Sequence, residues 1–117
     1  MELNAVEERM QRFAKQCRSF ISLLPRTMAN IDVARQLLKS SGSIAEHYTA
    51  AAQQTSDKDI QFRMRKARKE VDETVNQLKV LAEGNPKLAA SSQLLIGEAE
   101  AIRKELAAVK NNGTSKQ

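Results

Sequence analysis

Apolar residues along the chain step by four and three in successive segments, and polar or proline-containing breaks separate those segments. The first segment carries Val6, Met10, Phe13, Cys17, Phe20 and Leu24. The third carries Ile60, Met64, Ala67, Val71, Thr74, Leu78 and Leu81, and the fourth Leu88, Ser92, Leu95, Ala99, Ile102, Leu106 and Val109. Such spacing lines one face of an α-helix, and none of it fits the period of two that a strand requires. The breaks carry start and stop signals. Pro25 in LLPRT disfavours helical geometry in the residue before it, and Thr27 can cap the second helix. Within QQTSDKD, Ser56 precedes Asp59 by three residues in the manner of a capping box. In EGNPK, Gly84 falls just past one helix, Asn85 is placed as a cap, and Pro86 takes the first position of the next. NNGTSKQ closes the last segment. The pattern predicts helices over 3–24, 28–53, 57–83 and 86–111, one domain over 1–112, and a flexible tail over 113–117. The fold class is all-α, an antiparallel up-down-up-down four-helix bundle.

The second segment raises a separate question, because Ser40, Ser41, Gly42 and Ser43 interrupt it with turn-favouring residues. Ile31, Ala34, Leu38, Ser41, Ala45, Tyr48 and Ala52 keep the 3-4 register straight across the glycine, which predicts an unbroken helix. Gly42 inside a helix costs about 1 kcal/mol against alanine, a cost most easily carried where another backbone approaches closely. A second apolar line, Val33, Leu37, Ser40, Ile44, His47 and Ala51, lies beside the first. Two such lines cover more than half the circumference, whereas one bundle face needs one. The excess predicts a homo-oligomeric ring, with Val33, Leu37, Ser40, Gly42, Ile44 and His47 at the subunit seam; the alternative is a wide face used within one chain.

Composition supports helices and narrows the chemistry. A chain of 117 residues with 3% aromatics, four Gly and two Pro has the vocabulary of a bundle. No apolar run approaches the roughly 18 residues that span a bilayer, and MELNAVEERMQRF lacks the basic-then-apolar order of a secretory leader. The expected location is cytoplasmic, away from membranes. One cysteine and one histidine leave no thiolate metal cluster, and no pair of Glu-x-x-His motifs for a di-iron site. Cys17 falls on a core seam, Ser41 lacks a nucleophile elbow, and no glycine-rich phosphate loop is present. Neither an enzyme nor a cofactor or metal is expected.

The net charge of +5 and pI near 9.6 favour anionic partners. RMRKARK places Arg63, Arg65, Lys66, Arg68 and Lys69 within seven residues. Phe62, Arg65, Lys66 and Lys69 fall at i, i+3, i+4 and i+7, nearly opposite the core seam, an arrangement suited to base stacking beside phosphate contacts. It suits a subunit interface equally well. The competing reading pairs Lys66 with Glu70, Arg68 with Asp72 and Lys69 with Glu73 across one turn, in the weaker base-before-acid order. Arg12, Lys15 and Arg18 add a second basic line on the first helix. Nothing in the sequence reads bases specifically.

FAKQCRSFISLLPRT, RQLLKSSGSIAEHYTAA and ARKEVDETVNQLKVL together resemble the bacterial four-helix-bundle proteins of the 23S rRNA-intervening-sequence family. The matching positions are Leu24 to Thr27, Arg35 to Ser43, Tyr48, Ala67, Lys69, Glu70, Glu73, Thr74 and Leu78, within residues 9–83. His47 stands where the family usually has Asn, and Gln77 where it usually has Trp. The resemblance implies an antiparallel bundle assembling into a ring, commonly a pentamer, without enzymatic activity. A branch of similar fold, the accessory variability proteins of diversity-generating retroelements, binds nucleic acid and a reverse transcriptase through a basic surface. Residues and resemblance together lead to one expectation: a non-enzymatic homo-oligomer that binds nucleic acid, RNA favoured, without sequence readout. The alternative is a protein-protein scaffold or accessory factor, for example to a reverse transcriptase, with no nucleic-acid contact.

Overall fold

A computed structural model describes residues 2–115, with side chains described for 5–108. Four long helices account for nearly all of it: α1 (Glu2–Ile21), α2 (Met28–Ala52), α3 (Asp57–Gly84) and α4 (Ala89–Ser115), with one 3-10 turn at Pro86–Leu88. No strand occurs among the described residues. The molecule measures 49 × 21 × 20 Å. α1 packs on α2 and α4, and α3 packs on the same two, so α1 and α3 sit on opposite corners of the bundle.

The single seams of α1, α3 and α4 face inward as the periodicity requires. Met10, Phe13, Cys17 and Phe20 are buried, as are Met64, Ala67, Val71, Thr74, Leu78 and Leu81, and Ser92, Leu95, Ala99, Ile102 and Leu106. The side chain of Val109 lies outside the described residues. Helix α2 is unbroken across Ser40–Ser43. Its two apolar lines serve two neighbours: Leu37, Ser40, Ile44 and Ala51 are buried, and so are Ser41, Ala45 and Tyr48. Ser40 shares a 2.8 Å hydrogen bond with Thr74 and reaches Gln77 Oε1 at 2.7 Å on α3. Ser41 and Ser43 bond back to the carbonyls of Leu38 and Lys39. The serines are therefore satisfied inside one chain, and they need no visiting backbone to justify them.

Several boundaries differ from the sequence expectation for local reasons. α1 stops at Ile21, three residues early, because Leu23 and Leu24 bond back to Phe20 and Ile21 in tighter i−3 geometry. Thr27 and Ser56 cap α2 and α3 through Asn30 and Asp59 amides, each at 3.1 Å. Asn85 holds the cap position before Pro86 without a side-chain bond to the turn that follows: α3 includes Gly84, and the Asn85 side-chain amide pairs with that of Asn30 in both directions (2.9 and 3.1 Å). Asn30 also donates to the Pro25 carbonyl, and Asn85 to that of Leu81. This amide pair ties the α1–α2 turn to the α3–α4 turn. α4 begins at Ala89, after the 3-10 turn, and continues through Asn112 and Gly113 to Ser115, into the segment expected as tail. Residues 116 and 117 lie outside the described residues.

α1 is held to α4 by one guanidinium. Arg9 grips Glu98 with Nε and Nη2 (2.7 and 3.1 Å) and Glu105 with Nη1 (2.8 Å). Arg9's hydrogen bond keeps the Glu98 carboxyl below the usual carboxylate range, against the opposing effect of burial. Its contribution to stability is thus present above that range and lost only as pH falls through the lowered value.

A Cβ built at Gly42 meets nothing within 4 Å, so the expected close approach of another backbone does not exist within the chain. Gly42→Ala should therefore stabilise the protein by about 1 kcal/mol, raising the melting temperature by roughly 4 °C. A thermal melt showing loss of stability instead would mean that something packs on that spot.

Candidate nucleic-acid interface

Ser56 and the buried line from Met64 to Leu81 fix the rotation of α3, and the opposite side of that helix turns outward as one strip. Phe62 is 45% exposed, with Arg65, Lys66 and Lys69 exposed along the same strip and Arg63 and Arg68 half-buried at its edges. Lys66 Nζ stands 5.1 Å and Arg63 Cζ 5.9 Å from the centroid of the Phe62 ring, within cation-π range. The ring is hence set among cations on a solvent-facing surface.

Among the described residues, none of the three i, i+4 ion pairs read from the sequence closes within 4.0 Å. Each acid is accounted for differently. Asp72 is held by Arg103 of α4, Nε to Oδ1 at 2.8 Å and Nη2 to Oδ2 at 3.3 Å, which keeps the Arg103 guanidinium above its ordinary pKa. Glu70 turns toward His47, with 4.0 Å between Nε2 and Oε2. Burial and then the neighbouring Glu73 push its carboxyl pKa upward, against His47, Lys39 and Lys69. Glu73 lines a groove with Val33 and Val80 between α2 and α3. The cations of the strip thus form no ion pair within 4.0 Å, although Lys69 still acts on Glu70 and Asp72 on Arg68 at longer range.

Arg68 is the exception to an open strip. Its Nη1 is buried without a hydrogen-bond partner, and burial, Arg103 and Arg65 all lower its pKa, with Asp72 partly offsetting. Arg12, Lys15 and Arg18 are exposed on α1. Because α1 and α3 occupy opposite corners, that second basic line sits on a different corner of the bundle from the first, with Arg12 bordering the α1/α4 cleft and Arg18 the α1/α2 cleft.

The six residues expected on α2 as a subunit seam differ in burial. Leu37 and Ile44 are fully buried and Ser40 nearly so, against α1 and α3 of the same chain, because each bundle helix must cover two neighbours. Val33 is half-buried in the α2/α3 groove, His47 is half-buried beside Glu70, and Gly42 is half-buried and open. Exposed apolar side chains occur on α2 at Met28 and Leu38, and elsewhere as well. Leu23 (59% exposed) and Leu94 (78%) flank a cleft of about 820 Å³ between α1 and α4, beside Arg12 and Glu98.

Arg103 and Arg9 were invisible to sequence reasoning, since their partners lie 31 and at least 89 residues away. Among the described residues, no three His, Cys, Asp or Glu side chains gather as a metal site, and no helix is long and apolar enough to cross a membrane. A scan of protein-family models, a search of curated proteins and a search of solved structures each return no match.

Cys17 sits in the core with its thiol pKa pushed up to about 12 by burial, a Ser41 hydrogen bond opposing slightly. At pH 8 the thiolate is roughly a thousandfold scarcer than in an unperturbed cysteine. Maleimide should label Cys17 in the native protein only at the rate of unfolding, with prompt labelling in denaturant; rapid native labelling would place Cys17 at an open surface.

Proposed function

We propose that the protein is a non-enzymatic, up-down-up-down four-helix bundle that binds single-stranded nucleic acid, RNA favoured, through the outer strip of α3. The observation that carries this reading is the company of Phe62: an exposed ring among Arg63, Arg65, Lys66 and Lys69, whose nearby acids are engaged elsewhere or left unpaired with them. Cations bound to their own carboxylates exchange one partner for another when a phosphate arrives; cations without that partner release counterions and gain affinity. Phe62 adds a π-face that accepts any base, so binding is sequence-tolerant. Pairings support the up-down course. Partners on α3 and its C-cap fall from residue 85 to 70 as positions on α2 rise from 30 to 47.

The working form in this reading is a homo-oligomeric ring, a pentamer as the family resemblance implies. With Leu37 and Ile44 engaged internally, the seam is best supplied by Leu23 and Leu94 at the α1/α4 cleft, which leaves the α3 strip outside it. Subunits at +5 each would then pool their positive field.

Reversing Arg65, Lys66 and Lys69 to Glu should abolish retention on single-stranded RNA while leaving the helical content and mass unchanged. Three phosphate contacts give a salt dependence of about −2 in log K against log salt, and Phe62→Ala should lower affinity roughly 5- to 100-fold. Wild-type retention indifferent to salt would sink the phosphate reading. Separately, Leu94→Glu should yield smaller species in sedimentation, and an unaltered mass would remove the α1/α4 seam.

A further inference from the structure

Helix α2 keeps part of the apolar excess that its sequence displays. Ser41, Ala45 and Tyr48 of its first apolar line are buried, but Ile31 and Ala34 are only half-covered and Leu38 is 46% exposed. α1 has ended at Ile21, and the chain from Ser22 to Thr27 turns away before α2 begins. Between them lies a cleft of about 440 Å³, within the size range of ligand sites. Ile21, Leu24, Ile31, Ala34 and Leu38 form its floor.

Three arginines rim this apolar floor: Arg18 from α1, Arg26 from the turn and Arg35 from α2. No carboxylate lines the cleft, and among the described residues none of the three guanidinium groups is in an ion pair. We infer that this cleft docks an acidic amphipathic segment of a partner protein, aliphatic side chains on the floor and carboxylates on Arg18, Arg26 and Arg35. Two properties choose this occupant. The floor from Ile31 to Leu38 runs two helical turns, about 10 Å, matching apolar residues at i, i+3 or i+4, and i+7 of a short helix. The rim carries three cations of the residue type that binds carboxylates bidentately, with no acid to compensate them. A nucleic-acid strand satisfies the rim but not the floor, since no aromatic ring lines the cleft for a base to stack upon and a sugar-phosphate chain buries little aliphatic surface. The cleft therefore differs in kind from the α3 strip, where the aromatic is present and the aliphatic floor absent.

The test is selection from a display library of random 16-residue peptides against the full chain, with counter-selection on Leu38→Asp. Enriched peptides should carry Leu, Ile or Phe at helical spacing flanked by Asp and Glu. Synthetic copies should lose roughly tenfold or more in affinity against Leu38→Asp and against the Arg18→Glu/Arg35→Glu double variant. They should keep their affinity for the Arg65, Lys66, Lys69→Glu variant, which separates this site from the nucleic-acid strip. The double variant changes only exposed rim positions, so it decides the matter if Leu38→Asp unfolds. Selected peptides without acids, acidic peptides indifferent to both variants, or single-stranded RNA displacing the peptides from the cleft would each overturn the assignment. So would a concentration-dependent dimer in sedimentation that Leu38→Asp dissolves, since a second copy would then be the occupant.

Discussion

Helix α2 must bury two sides at once, and the rest of the molecule is arranged around that requirement. It adjoins both α1 and α3, and the residues it turns inward alternate between two adjacent lines. Leucine or isoleucine throughout both lines would give an all-apolar rod with little to specify its rotation. Ser40 and Ser41 break that uniformity at the middle. The Ser40–Thr74–Gln77 contacts align α2 with α3, because a shift of either helix by one turn would forfeit them and leave each hydroxyl only a carbonyl of its own helix, Leu37 for Ser40 and Glu70 for Thr74. A polar cluster at the centre of an otherwise aliphatic seam thus acts as a register mark. Asn30 and Asn85 do the same at one end of the bundle, where the paired amides also satisfy the carbonyls of Pro25 and Leu81.

The α1 side of the bundle is secured differently. Few backbone positions of α1 and α4 come close, and the cleft carrying Leu23 and Leu94 opens between them. Arg9 spans that side with a fork across Glu98 and Glu105, partly exposed and so of modest energetic weight, but directional in a way aliphatic packing is not. Arg103 and Asp72 make the equivalent link between α3 and α4. That second link has an electrostatic consequence at a distance from its own geometry. By engaging the acid that α3 offers Arg68 four residues on, it leaves the basic strip of α3 less neutralised than the sequence alone would allow.

The sequence carries the elements well and their neighbours poorly, for a physical reason. A helix seam is a local property, repeated every few residues, so the inward positions of α1, α3 and α4 are legible down to individual side chains such as Thr74 and Ser92. Caps at Thr27 and Ser56 are legible because a cap acts over three residues. Asn85 reads as a cap because its spacing to Pro86 fits one, whereas its partner Asn30 lies 55 residues away. The second line of α2 reads as a subunit seam because an apolar surplus does not state which neighbour covers it. Gly42 illustrates the same limit: a glycine in mid-helix predicts close approach or tolerance, and within the chain the space around its Cβ position is empty. At the basic strip, the helical period places Phe62 and its flanking cations correctly. It does not place their acids, because Asp72 answers to Arg103 on another helix.

Charge alone does not distinguish the two cation-rich surfaces of this bundle; their apolar context does. On α3 the cations surround an aromatic ring on a convex helix face, where a flexible strand can lay phosphates against the amines and a base against the ring. At the α1/α2 turn the cations surround a concave aliphatic floor, where burying a ligand's methyl and methylene groups would contribute on the order of 25 cal/mol per Å² removed from water. Polyanions feel both fields at long range, and ionic strength weakens both. Only one surface returns hydrophobic burial to an aliphatic ligand, and only the other offers a stacking plane. Since α1 and α3 stand at opposite corners and no residue of the α3 strip lines the cleft, each surface can be altered by substitutions that leave the other unchanged.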